Sequence, residues 1–247
     1  MGPQFLCQGG AMTDDLNSFL ACRPATAERP LLGLTVLLVE DSRFASEAVR
    51  LLCLRSGARI RRADCLRSAH RHLATYRPNV VVVDMGLPDG SGADLIRHIK
   101  AGGPGSPAVI GLSGDPGMMA DAMAAGADAF MEKPLDSLVA FQARVLSVLP
   151  PDVRPAGVRP MNDDKVSPDP LALRDDLNHV AEVLAAGPDG AVLGYVAQFL
   201  AGVARSAHDG DLESAASALG GKTTPSPAAI SHLTGIVQAR LAAASGF

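Results

Sequence analysis

The 247-residue sequence predicts a doubly wound α/β domain, a five-stranded parallel sheet with helices on both faces, followed by a small all-α helical bundle. Three observations predict it. Between residues 34 and 149, short apolar runs alternate with amphipathic stretches of about 10 to 15 residues, the pattern of a parallel sheet covered on both sides. Four of those runs end at polar groups: Glu40 and Asp41, Asp84, Ser113, and Lys133. Beyond residue 170 the chain turns rich in Ala and Leu with helical spacing and short breaks.

Residues 1–33 read as an N-terminal extension. Residues 1–10 carry glycines and a proline without a period, and both Met1 and Met12 are candidate starts. Thr13 followed by Asp14, Asp15, Leu16, Phe19 and Leu20 has the pattern of a capped short helix, bounded by Pro24. The α/β domain spans 34–149. Its expected strands are 34–39, 59–62, 80–83, 108–112 and 127–131, with helices at 44–54, 66–76, 92–100, 118–125 and 135–149. The run at 59–62 is the weakest, with Ile60 as its only strong apolar residue. Residues 150–170 hold six prolines, which favour an extended, semi-rigid linker. The last segment, 171–247, divides into expected helices at 171–186, 191–207, 212–219 and 227–244, a helical output or dimerisation domain.

Composition narrows the class. The chain is 47% hydrophobic and 19% charged, enough apolar material for a packed core. Its net charge of −4 offers no electrostatic attraction to nucleic acid or an anionic membrane. The four cysteines are widely spaced and lack a C-x-x-C pair, so free thiols in a reducing compartment are expected. No apolar run reaches the roughly 20 residues of a membrane span, and residues 1–20 lack the marks of a signal peptide. A cytoplasmic location is the expectation.

In open α/β sheets ligands bind at the carboxyl edge of the strands, which puts the polar strand ends at one site. Glu40, Asp41 and Asp84 would repel one another there unless a cation joined them. An oxygen-only donor set favours Mg²⁺, which keeps several waters and bridges readily to phosphate. Lys133 can pair with a carboxylate or a phosphoryl oxygen, and the Ser113 hydroxyl can donate to the same oxygen. An anion-accepting pocket beside a nucleophilic carboxylate suits phosphoryl transfer.

The segments LLVEDS at 37–42, VVVDMGLPDGSG at 81–92, VIGLSGD at 109–115 and GADAFMEKPL at 126–135 resemble the receiver domain of two-component response regulators, the CheY-like fold. Four such pieces, in order and each at an expected strand end, make the resemblance specific; it covers nearly half of the chain and stops before the C-terminal segment. It implies Asp84 as phosphoacceptor, with Glu40, Asp41, Asp84 and the backbone carbonyl of Gly86 holding Mg²⁺. It implies Lys133 as the phosphate-pairing lysine, Pro134 after a cis peptide, Ser113 as the hydroxyl that moves toward the phosphoryl group, and Phe130 as the aromatic switch. Gly86 and Asp115 fall on positions that tune dephosphorylation, and Gly114 departs from the alanine more common there. The implied partner is a histidine kinase or phosphotransfer protein, and the implied catalysis extends only to the domain's own phosphorylation and dephosphorylation.

The C-terminal segment carries less information. Between 161 and 247 there are five basic and ten acidic residues, a net charge of −5, which argues against a DNA-binding output. The run 207–222 is similar to part of a histidine phosphotransfer domain, but Ser217 stands where its phosphorylatable histidine would be. Output through an unidentified downstream protein is therefore expected, with homodimer formation open. A phosphorelay intermediate with a degenerate phosphotransfer-like module is the alternative, and a transcriptional regulator the less favoured one.

Overall fold

A computed structural model of the chain describes residues 25–151, 164–220 and 226–244. The expected helix near Thr13, Cys7 and Cys22, and most of the proline-rich linker lie outside the described residues.

The α/β part contains β1 (Thr35–Val39), α1 (Arg43–Ser56), β2 (Arg59–Ala63), α2 (Leu66–Thr75), β3 (Val80–Asp84), a two-residue ladder β4 (Gly86–Leu87) with β5 (Gly90–Ser91), α3 (Gly92–Lys100), β6 (Ala108–Ser113), α4 (Met118–Ala124), β7 (Ala129–Glu132) and α5 (Leu138–Val148). Five strands form one parallel sheet in the order β2-β1-β3-β6-β7. This is the doubly wound, CheY-like architecture that the sequence predicts. Sequence order reverses between β1 and β3, so a switch point opens at their carboxyl ends, where Glu40 and Asp84 sit.

Strand side chains alternate between two cores. Val36, Leu38, Val80, Val82, Ile110 and Leu112 face α1 and α5, packing with Leu52 and Phe141. Leu37, Val39, Val81, Val83 and Val109 face the other way, toward Ala69, Ile96 and Ala122 of α2, α3 and α4. Burial on both faces explains why β3 is an unbroken valine run. The edge strand β2 instead exposes Arg59, Arg61 and Arg62, charges that discourage pairing with another chain. The expected helix at 135–149 starts at Leu138, because Ser137 accepts the Ala140 amide and caps it there.

The boundaries of this unit are wider than the sequence implies. Leu31, assigned above to the extension, is fully buried in the sheet core, and its amide donates to the Ser56 carbonyl at 2.9 Å. Residues 164–166 are not a free spacer either. Lys165 bridges to Ser137 and pairs with Asp136 at 3.1 Å, and Val166 is buried in the same core as Phe141.

The helical part consists of α6 (Pro170–Ala185), α7 (Gly190–Ser206), α8 (Gly210–Leu219) and α9 (Pro227–Ala244). Asp169, Asp189 and Asp209 cap the first three by accepting amides of their opening turns. Leu177, Val180, Leu193, Val196, Leu200, Leu212, Leu233 and Val237 build its own core. Arg240 ties α9 to Asp209 at 2.6 Å. Among the described residues no helix is long and apolar enough to cross a membrane.

Phe141 lies fully enclosed between the sheet and α1, so its loss leaves a cavity. Phe141→Ala is expected to cost about 3–5 kcal/mol, read as a lower urea midpoint with the slope of the transition unchanged.

Candidate functional site

The carboxyl ends of β1, β3, β6 and β7 place their polar residues as the motif spacing predicts. Glu40 and Asp41 follow β1, Asp84 closes β3, Ser113 closes β6, and Lys133 follows β7. Pairing of Asp84 with Leu112 and of Ser113 with Glu132 fixes these ends at one level. The Lys133 amide donates to the Ser113 carbonyl at 2.8 Å, which aims the lysine across the edge.

Lys133 is the hub. Its Nζ lies 2.7 Å from Glu40 Oε2 and donates to Asp84 Oδ2 at 3.0 Å, with all three side chains buried. One oxygen each of Glu40, Asp41 and Asp84 falls within 4.8 Å of the others. Burial pushes the Glu40 carboxyl well above its usual range, and the neighbouring Asp84 charge adds to this while Lys133 opposes it. Asp41 is raised to about 6 by burial, against a hydrogen bond from Tyr195 that lowers it. For Lys133, burial works to lower the pKa, but the Asp84 and Glu40 charges outweigh it and hold the ammonium protonated.

The donor set fits a hard divalent cation: three carboxylates, oxygen only, with one lysine to offset their charge. Glu40 Oε2 supports this. It is enclosed and faces Lys133 without any well-directed hydrogen bond, so its coordination is incomplete.

Ser113 is buried, its Oγ accepting the Asp115 amide at 3.1 Å, and Asp115 in turn accepts the Gly117 amide at 2.8 Å. Phe130 is buried against Ala122 and Gly111, inside the sheet core rather than at the rim. The Lys133–Pro134 peptide is cis. Gly86 lies in the loop after Asp84, its amide 3.5 Å from Asp84 Oδ1. A side chain at Gly92 would run into the Asp84 carbonyl, so the start of α3 can approach the acid only as glycine. The turn through Leu87 and Gly90 projects Asp89, which accepts the Leu66 and Arg67 amides and caps α2.

Residues 36–143 match the family model of the response regulator receiver domain. This segment is a receiver domain. The chain is similar to the KDP operon transcriptional regulatory protein KdpE of Escherichia coli (strain K12), 30% identical over 40% of this chain and 44% of that protein. It is also similar to the probable transcriptional regulatory protein TcrX of Mycobacterium tuberculosis, 34% identical over 40% of this chain and 43% of that one. The chain thus spans less than half the length of these curated relatives. A crystal structure of the signal receiver domain of a signal transduction histidine kinase from Syntrophus aciditrophicus is 27% identical, with a TM-score of 0.44, over 52% of this chain and 99% of that chain.

The receiver site has neighbours that the motifs did not reveal. Asp176 of α6 is buried and accepts the Ser42 hydroxyl at 2.8 Å and the Arg43 and Phe44 amides at 2.9 and 3.0 Å. It thereby shares the capping of α1 with Ser42. Tyr195 of α7 donates its hydroxyl to Asp41. In sequence Asp176 is one acid among ten and Tyr195 one of two tyrosines, with no motif around either. Ser217 lines the same cleft as Asp84, and no histidine is among the described residues lining it.

Lys133→Met removes the only cation in direct contact with Glu40 and Asp84 among the described residues. The expected loss is about 3–5 kcal/mol at pH 8, measured by urea unfolding. The raised Glu40 and Asp41 pKa values mean that their charged forms oppose folding above those values. The loss should therefore shrink as pH falls below about 6 and Asp41 takes up its proton.

Proposed function

We propose that this chain is a response regulator that accepts a phosphoryl group on Asp84 from a histidine kinase or phosphotransfer protein and signals through protein contacts. The observation that carries the reading is the buried Lys133 ammonium bound to Asp84 with Glu40 and Asp41 alongside, all within a receiver domain. An Asp84 carboxylate oxygen attacks phosphorus; the new O–P bond forms as the P–N bond to the donor imidazole breaks, and the ring, already protonated on its other nitrogen, takes the P–N electron pair and leaves as neutral imidazole. Lys133 neutralises charge on the transferred group, and Ser113 donates to one of its oxygens. Glu40, Asp41, Asp84 and the Gly86 carbonyl would hold Mg²⁺, which supplies charge neutralisation when bound. Catalysis by this chain ends with its own phosphorylation and dephosphorylation.

A protein-directed output fits the bundle better than DNA binding. KdpE and TcrX are named transcriptional regulators, yet the likeness to them covers only 40% of this chain, and the receiver match stops at residue 143. Residues 161–247 are net acidic, the wrong sign for phosphate contacts.

Incubation with acetyl phosphate and Mg²⁺ is expected to add one phosphoryl group by intact-mass measurement. Asp84→Asn should gain none, and an equal gain in that variant would refute the assignment. Mg²⁺ at 100 times its dissociation constant should stabilise the native chain by about 2.7 kcal/mol in thermal melts, with the effect lost in Asp41→Asn.

A further inference from the structure

The bundle does not hang beside the receiver domain; one of its helices lies across the phosphoacceptor edge. Tyr195 of α7 reaches Asp41 after β1. Three residues on, Gln198 occupies the space a side chain at Gly86 would need, in the loop after β3. Arg205, ten residues from Tyr195, places Nη1 where a side chain at Gly114 would stand, in the loop after β6. Positions 195, 198 and 205 recur near helical spacing on one face, and ten residues of helix span about 15 Å. One face of α7 therefore touches three of the four strand ends that surround Asp84. Glycine at 114, where this sequence departs from the more common alanine, is the space into which Arg205 fits.

The docking is specific rather than incidental. The Asp176 carboxylate, 3% exposed, takes three hydrogen bonds from Ser42 and the first two residues of α1. Arg43 adds an ion pair to Asp175 at 2.6 Å, exposed and so of small weight. Arg205 is itself held by Glu213 of α8, Nε at 2.8 Å and Nη2 at 2.6 Å, which fixes the end that meets Gly114. Gly194, Ala201 and Gly202 keep the helix face low, leaving a cleft of about 530 Å³ that Asp84, Ser113 and Lys133 share with Gln198 and Arg205. That volume suits a small molecule, not a protein helix carrying a histidine.

We propose that α7 is a lid that sets the size of phosphodonor reaching Asp84: docked, it admits ions, water and small acyl phosphates through the cleft, and it bars a protein-borne phosphohistidine until the bundle lifts. This rests on Asp84 being the phosphoacceptor. Val166, buried in the receiver core, leaves only Ser167, Pro168 and Asp169 before α6, so the lid moves on a short tether.

The test uses the full chain with and without Asp176→Asn and Tyr195→Phe together, two near-isosteric changes that weaken the polar anchors. Hydrogen exchange at the Arg43 and Phe44 amides should accelerate at least about tenfold in the double variant. Unchanged exchange there overturns the anchoring. Access is read separately by introducing Asp84→Cys into both backgrounds and following labelling of that position by peptide mass. Iodoacetamide should label both backgrounds alike, whereas a maleimide on a long polymer should label the loosened one at least about tenfold faster. Equal labelling by the polymer reagent in the two backgrounds, whether fast or absent, overturns the lid. The thiol experiment involves no phosphate chemistry, so its outcome is separable from failure of acetyl phosphate to modify Asp84.

Discussion

The site depends on one buried ammonium. Lys133 sits between Glu40 and Asp84 with all three side chains buried, where each charge alone would be strongly disfavoured. The arrangement is tolerated because the sheet brings the charges together at strand ends whose backbone positions are set by the ladder, with no freedom to drift apart. Three acids against one lysine leave the balance negative. That residual charge gives the pocket its appetite for a cation, and the Asp84 charge adds to the desolvation that already raises the Glu40 and Asp41 pKa values.

Most of the receiver domain is legible in the sequence because its strands are buried on both faces. Such strands must be apolar throughout, and they stop abruptly at polar residues where the edge meets solvent. Val80–Asp84 shows both properties in five letters. The edge strand β2 is harder to read because solvent replaces one neighbour, and arginines fill positions that an interior strand would give to valine. The bundle is legible as helices but not as an arrangement. Leu177, Leu200 and Leu212 announce amphipathic faces, yet nothing in their spacing states which outer surface meets the receiver domain.

The residues missed were those whose role comes only from the far side of an interface. Asp176 reads as a solvated acid until Ser42, 134 positions earlier, is placed beside it. Tyr195 is a tyrosine without a motif until Asp41 is found at its hydroxyl. Local patterns encode caps within one helix, as with Ser137 and Asp189, because donor and acceptor are three residues apart. A cap supplied by a different domain leaves no such trace. Gly114 was the nearest thing to a clue: a small residue in an unexpected place marks room reserved for something else.

Leu31 and Val166 lie outside the matched span of 36–143, yet both belong to the core that packs on Phe141 and Leu52. The unit that must fold together is therefore longer at each end than the unit that the motifs delimit. Cutting the chain at the motif boundaries would strip two plugs from the sheet's α1–α5 side and leave greasy hollows open to water. A fragment made that way would be prone to clump, and its behaviour would say little about the receiver as it exists in the intact chain.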